Sequence, residues 1–318
     1  MGQVASPAGL QGSDFSVDCG KSALLKSVQE VSPATVSNFK SPVPIYILYD
    51  AASIPSPAQG ITSKLLLKFL RTTAEENRAL SLVVSTDQGL QVIHEMSTES
   101  KVLYAALDRL DLGQAPVTSS RSEFDSKVNE EAARLQQLTR LLSNARFRAY
   151  TPPAFQQLQT LEQVGEMLRR SPKRKLLVWM TGSFPLTIDS DELLYRNSAV
   201  SREPNLTKMT VAYEKAISSL NLSRISAYPI RIPVRVANGD TTGYGLAELA
   251  RNTGGRYLGE LDEIDFPVAV AELSKEPQPY YLLTFDTFVR KESWVGCKIK
   301  TNRREIQLWA PKGFFFEP

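Results

Sequence analysis

The chain has 318 residues, 42% of them hydrophobic and 22% charged, ordinary globular values with ample length to bury a core without a metal or disulfide staple. Its net charge is only +3, and the basic residues gather at Arg169-Arg170, Lys173-Arg174-Lys175 and Arg303-Arg304, beside expected strands or turns, so they read as solvated edges and no nucleic-acid partner is expected. One His and two Cys exclude a Cys/His zinc cluster, and no run approaches the ~18–20 apolar residues of a membrane span.

Residues 1–43 are rich in Gly, Ser, Pro and Val and form an expected leader with one short strand. Only 21–31 has a helical period. The start, Met1-Gly2-Gln-Val-Ala-Ser6, fits the short N-myristoylation pattern; the preferred reading is an added Met-Gly before a processed mature end. No signal peptide is visible in this chain.

From residue 44 to 276 strands and helices alternate, which argues for a mainly parallel sheet covered on both faces. The first strand is the apolar run Ile45-Tyr-Ile-Leu-Tyr-Asp50, ending in a carboxylate. A helix is expected over 58–75, with Ile61, Leu65, Leu66, Phe69 and Leu70 on one stripe. Two strands, 80–85 and 90–95, flank Thr86-Asp87-Gln88-Gly89 as a hairpin, which places one antiparallel edge strand on the sheet. Ser97 is read as the cap of a following helix. After a polar loop over 113–122, helices are expected over 124–146 and 158–170. Lys175-Leu-Leu-Val-Trp-Met180 reads as a strand buried on both faces. A polar insertion covers 189–204. Then come a helix over 206–220, a strand over 225–230, a helix over 246–252 closed by Gly254-Gly255, a short strand over 256–259 and a last helix over 264–273. Beyond Pro277 the pattern is all β, at 280–286, 295–300 and 305–309, giving a C-terminal antiparallel β appendage over 277–318. The fold class is therefore α/β, a three-layer doubly wound sheet with that appendage.

This order of elements resembles the von Willebrand factor type A fold, and more narrowly the acidobacterial family of VWFA-related proteins. The resemblance covers roughly residues 40–316. It rests on Leu48-Tyr-Asp50, Lys173-Arg-Lys-Leu-Leu-Val-Trp-Met-Thr-Gly-Ser-Phe-Pro185, Ile225-Ser-Ala-Tyr-Pro-Ile230, Leu249-Ala-Arg-Asn-Thr-Gly-Gly-Arg256 and Tyr280-Tyr-Leu-Leu-Thr-Phe285. It implies export from a bacterial cell, to a secreted or periplasmic location, and implies little about activity.

Adhesion domains of that fold hold Mg²⁺ with Asp-x-Ser-x-Ser after the first strand, a Thr from a middle loop and an Asp from a third. Here the first register reads Asp50-Ala51-Ala52-Ser53-Ile54, so both hydroxyl positions lack oxygen. Thr118 is the candidate for the middle loop, and Thr181 stands where the third carboxylate would be. One carboxylate does not offset the desolvation of Mg²⁺, so no metal is expected; Asp50 is the only residue to which a weakly held Mg²⁺ would be assigned. Asp50 is expected instead to bond loop amides, Ser53 or Ser183. The binding rim is accordingly Asp50, Ser53, Thr118, Thr181 and Ser183.

Other motifs carry less. Cys19-Gly-Lys-Ser22 has Phe15 where a phosphate loop needs its first glycine, and Gly243-Tyr-Gly245 is followed by Glu248 where a third glycine belongs, so neither is a nucleotide site. Ser183 lacks a Gly-x-Ser-x-Gly setting, and His94 is read as a partly exposed hairpin residue. Asp189, Asp191 and Glu192 lie in the polar insertion and read as solvated surface. Trp179, Trp294 and Trp309 read as sheet-packing residues. The run Phe314-Phe-Phe316 cannot all face inward from one strand and is expected to bend onto the body. Asn205-Leu-Thr and Asn221-Leu-Ser match the glycosylation sequon and would stay unmodified in a bacterium. Whether Cys19 and Cys297 pair is open. The expectation is a non-catalytic, extracytoplasmic domain that binds a protein or peptide ligand on the loops at the carboxyl ends of the strands. Its rivals are a metal-dependent adhesion domain with rearranged ligands and a hydrolase using Ser183 or the 189–192 acids.

Overall fold

The computed structural model describes residues 9–19, 23–31, 43–54, 56–75, 79–86, 88–97, 100–111, 122–144, 154–171, 173–182, 184, 204–232, 242–260, 268–269, 273, 280–287, 293–306, 308, 310–311 and 313–316. The 113–121 loop with Thr118, Ser183, the 189–192 acids and most of the expected 264–273 helix lie outside these residues.

Strand β3 (Ile45–Asp50) stays aliphatic or aromatic until its last residue, and it sits at the centre of a six-stranded sheet as such a run should. The other strands are β4 (Leu80–Thr86), β5 (Gly89–Ser97), β6 (Lys175–Thr181), β7 (Ile225–Arg231) and β8 (Gly259–Glu260), in the order β5-β4-β3-β6-β7-β8. Pairing is parallel throughout except at the β4–β5 edge. From β3 the chain moves outward to β4 and β5, then returns to the opposite side of β3 for β6. The switch point of the sheet therefore lies between β3 and β6, where clefts form at the carboxyl ends of strands.

Alternation along β3 divides the core. Ile45, Ile47 and Tyr49 face one layer, with Leu66, Phe69 and Leu70 of α1 (Ser56–Glu75), Leu103 of α2 (Ser100–Asp111) and Val128 and Leu135 of α3 (Glu123–Asn144). Leu48, Leu177 and Trp179 face the other, with Leu158 and Leu161 of α4 (Ala154–Leu168), Ile217 of α5 (Pro204–Leu222) and Leu246 of α6 (Thr242–Asn252). Helices α4 and α5 cross where α4 has a glycine: a Cβ added at Gly165 would strike the Ser219 side chain and backbone. Gly254, with φ of +71°, closes α6 in the left-handed region.

The chain ends depart from the expected leader. Where 21–31 has a helical period, the structure has a nine-residue strand, β2 (Ala23–Val31), preceded by β1 (Phe15–Asp18). Tertiary pairing overrides the local period: β2 runs antiparallel to β9 (Tyr280–Thr287), and β1 to β11 (Lys298–Thr301). The strand expected over 295–300 is broken at Cys297 into β10 (Ser293–Gly296) and β11. Cys19 reaches Cys297 from the end of β1, and the two form a disulfide spanning 278 residues of sequence. Among the described residues of 305–309 there is no strand; the last one is β12 (Gly313–Phe316), paired with β10. Asn221 of α5 donates from Nδ2 to the Gly313 carbonyl at 3.0 Å, which fixes this β unit to the helical layer. Ser97, expected at the start of the next helix, is instead the last residue of β5, three positions before α2 begins at Ser100.

Candidate functional site

Because side chains alternate along a strand, Leu48 and Asp50 share a face, and that face belongs to α4. The register pairs Asp50 with Thr181 on β6 and with Ser85 on β4. After Asp50 the backbone folds into a single tight turn, Ala51–Ser53, which returns Ser53 beneath the strand ends. The structure thus brings together three of the five expected rim residues: Asp50, Ser53 and Thr181. Each is buried, with Asp50 2% exposed.

A fourth residue joins them that the sequence reading passed over. Gln157, on the first turn of α4, donates from Nε2 to Asp50 Oδ2 at 2.9 Å and to Thr181 Oγ1 at 3.1 Å. Thr181 Oγ1 donates to the same Asp50 oxygen at 3.0 Å. Ser53 Oγ lies 2.9 Å from the Asp50 carbonyl, to which it donates, and 3.0 Å from Thr181 Oγ1, and it accepts from the Gly182 amide at 2.8 Å. Gly182 cannot carry a side chain, since a Cβ there would collide with the Ser53 carbonyl. Burial pushes the Asp50 carboxyl above its ordinary range, and the bonds from Gln157, Ser53 and Thr181 partly offset that rise.

Gln157 had a signal in the sequence. Ala154, Gln157, Leu158, Leu161, Val164, Gly165 and Leu168 are the buried positions of α4, so one amide interrupts an apolar stripe. Starting that helix at 158 left Gln157 outside it.

Two other buried polar groups differ from expectation. His94 is not partly exposed: bulges on either side of it in the β4–β5 pairing aim it inward, and its Nδ1 lies 2.7 Å from Glu131 Oε1 on α3, both side chains buried. Lys175 does not belong to a solvated basic edge. It is fully buried at the start of β6, and its Nζ donates to the carbonyls of Ser171, Lys173 and Ser223 at 2.7–2.8 Å. Burial, with Arg224 nearby, brings its ammonium down to about 8. Trp179 sits in the core as expected, edge-on to Phe184 at 5.3 Å.

Among the described residues no group of three or more His, Cys, Asp or Glu is placed to hold a metal ion, and no helix is long and apolar enough to cross a membrane. The oxygens at the rim do not form a cation's shell either. Donors of the Gln157 amide and the Thr181 hydroxyl point at oxygens whose lone pairs a Mg²⁺ ion would need.

No protein-family model matches the sequence, and no curated protein matches it. Solved structures similar to this chain include an aerotolerance-related membrane protein from Bacteroides fragilis with multiple mutations to serines, at 10% identity over 74% of this chain and 98% of that one, TM-score 0.38. Proximal thread matrix protein 1 from the mussel byssus is also 10% identical, over 73% of this chain and 47% of its own, TM-score 0.36. The human COPII-coat protein Sec24c is 10% identical over 79% of this chain and 35% of its own, TM-score 0.39. The fold described above rests on this chain's own strand order and register.

Proposed function

We propose that this chain is a non-catalytic, extracytoplasmic protein-interaction domain of the von Willebrand factor A-like kind, whose rim is held in place without a cation. The observation that carries the reading is the engagement of Asp50. A carboxylate stands at the switch point of a doubly wound sheet, the usual ligand position, yet its oxygen is taken by Gln157 and Thr181 from inside the protein. Asp50, Ser53 and Thr181 are buried, so they shape the loops rather than touch a partner. Recognition of a protein or peptide ligand then rests on the surface of those loops, through shape and direct hydrogen bonds. The chain's single histidine, His94 on the edge hairpin two strands from β3, is paired with Glu131 of α3, which removes the residue most suited to act as a base at the rim. The Cys19–Cys297 bond supports a location outside the cytoplasm, since disulfides persist in oxidising compartments.

Cross-linked capture from the native cell envelope, quantified with and without EDTA, tests this. Ala52 is the partly exposed residue of the turn after β3, and Ala52→Arg places a long charged side chain on the rim without touching the Asp50 bonds. The expected result is a captured protein retained in EDTA and with Asp50→Asn, and lost with Ala52→Arg at unchanged Tm. Capture abolished by EDTA would sink the proposal.

A further inference from the structure

We infer that Gln157 is an internal substitute for a cation: its side-chain amide occupies the wedge between Asp50 and Thr181 and keeps divalent ions out of an otherwise oxygen-rich rim. The inference deepens the cation-free part of the proposed function and rests on it.

The geometry of the wedge carries it. A Mg²⁺ ion sits about 2.0–2.1 Å from each ligand oxygen. Nε2 of Gln157 lies 2.9 and 3.1 Å from Asp50 Oδ2 and Thr181 Oγ1, nearly equidistant from two oxygens that are themselves 3.0 Å apart, as an ion shared between them would be. An ion and the amide exclude each other from that space. The proton directions agree with this. Gln157 donates to both oxygens, and Thr181 donates to Asp50, so each hydrogen ends on the carboxylate or on the hydroxyl beside it. A cation needs the reverse polarity, with lone pairs facing inward and protons outward.

Two further features fit the role. Gln157 enters from α4, while Asp50 and Thr181 end the two strands flanking the switch point, so one amide ties together three elements that an ion would otherwise bridge. Asp50, Ser53, Gln157 and Thr181 are each at most 4% exposed, which closes the wedge to the bulk water from which Mg²⁺ draws its retained ligands. The amide is also neutral. It gives the carboxylate donors without cancelling its charge, in keeping with an Asp50 carboxyl raised by burial.

The test reverses the substitution. Gln157→Glu turns the donor into an acceptor and supplies a second carboxylate next to Asp50, Ser53 and Thr181. Mn²⁺ is the probe, followed by electron paramagnetic resonance, where bound ion loses the sharp hexaaquo signal. Wild-type protein is expected to leave that signal unchanged. Gln157→Glu is expected to take up one Mn²⁺ per chain with Kd at or below about 1 mM, to melt lower in chelator and to regain its Tm with Mn²⁺. Adding Asp50→Asn is expected to abolish the uptake. Gln157→Ala, which only removes the amide, serves if the Glu variant does not fold, and is expected to bind the ion more weakly but measurably. If wild type takes none and both folded variants take none, the inference on Gln157 is wrong while the cation-free reading stands. If wild type itself binds Mn²⁺ and loses it on Asp50→Asn, both fail.

Discussion

Asp50 and Lys175 pose the same problem at opposite ends of neighbouring strands, and the protein solves it in two ways. Asp50 ends β3 at the carboxyl pole of the sheet; Lys175 begins β6 at the amino pole. Both are charged groups buried where desolvation is costly. Asp50 is met mainly by side chains, those of Gln157, Ser53 and Thr181, with the Ser53 backbone amide beside them. Lys175 is met entirely by main-chain carbonyls, two just past the end of α4 and one just past the end of α5. Helix carboxyl ends leave carbonyls without intrahelical partners and carry partial negative charge, so a lysine belongs there. A partner set of side chains is changed by one substitution, whereas a set of carbonyls is fixed by the fold. The amino pole therefore reads as architecture, and the carboxyl pole as the place where chemistry is adjustable.

The comparison predicts its largest effect at the amino pole. Lys175→Met removes the shared donor of three carbonyls, that of Ser223 buried and those of Ser171 and Lys173 nearer the surface. It also leaves a void where a fully buried chain stood, and is expected to cost about 3–5 kcal/mol in urea unfolding at pH 7. Because burial lowers the folded-state pKa from 10.5 to about 8, the unfolded chain holds the extra proton between those values. Wild-type stability relative to Lys175→Met should thus rise with pH from about 8 toward 10.5. A loss under about 1 kcal/mol at pH 7 would erase the distinction between the poles.

The disulfide sharpens the same contrast, since the β unit it closes is held to α5 through Asn221 and Gly313. A Cys19→Ser, Cys297→Ser double variant is expected to lose about 2–4 kcal/mol, mostly by freeing the unfolded chain. Hydrogen exchange should rise in 9–31 and 280–316 and stay unchanged around Asp50. Increased exchange at the rim as well would mean that the poles are not independent. Gly165→Ala comes next, at about 1–3 kcal/mol. Its Cβ would lie 2.8 Å from the Ser219 carbonyl carbon, pushing α4 off α5 and loosening Gln157 from Asp50.

The sheet was legible because its strands are long apolar runs and its helices carry clean stripes: β3, β4, β6 and β7 fall within a residue or two of their expected ends. The chain ends were not legible, because β1 and β2 pair with strands about 250 to 290 residues away, and no local period encodes such pairing. At the candidate site, Asp50, Ser53 and Thr181 were singled out by setting the loops after the strands against the Asp-x-Ser-x-Ser register, and the structure brings these three together. Gln157 was missed because a glutamine near a helix start looks like surface until the stripe beside it is drawn far enough. Lys175 was misread for the converse reason: a Lys-Arg-Lys run looks solvated, yet strand alternation turns its last member inward among helix-end carbonyls. His94 looked half-exposed because period-two counting ignores the bulges that redirect it.

The smallest effect is expected at Asp50 itself, and its sign is the informative part. Asparagine keeps the shape and an oxygen that accepts from Gln157 and Thr181, while removing a charge that is costly to bury. Asp50→Asn should therefore lie within about 1 kcal/mol of wild type at pH 7, or above it. Burial raises the folded-state pKa of Asp50 above its ordinary 3.8. The folded protein thus keeps a proton that the unfolded chain has released over the window just above 3.8. The stability this confers is fully present below 3.8 and is lost as pH rises through the folded pKa. Wild type minus Asp50→Asn should accordingly decline with rising pH from 3.8 up to the folded-state pKa and flatten only above it. Had a fixed positive charge stood at the rim, the carboxyl would be held down instead of up and the slope would reverse. Parallel thermal or urea melts of the two proteins from pH 4 to 7 read that slope directly. A difference that grows with pH would mean that Asp50 is paired with a positive charge, and that the carboxyl pole is built on the same charged terms as the amino one.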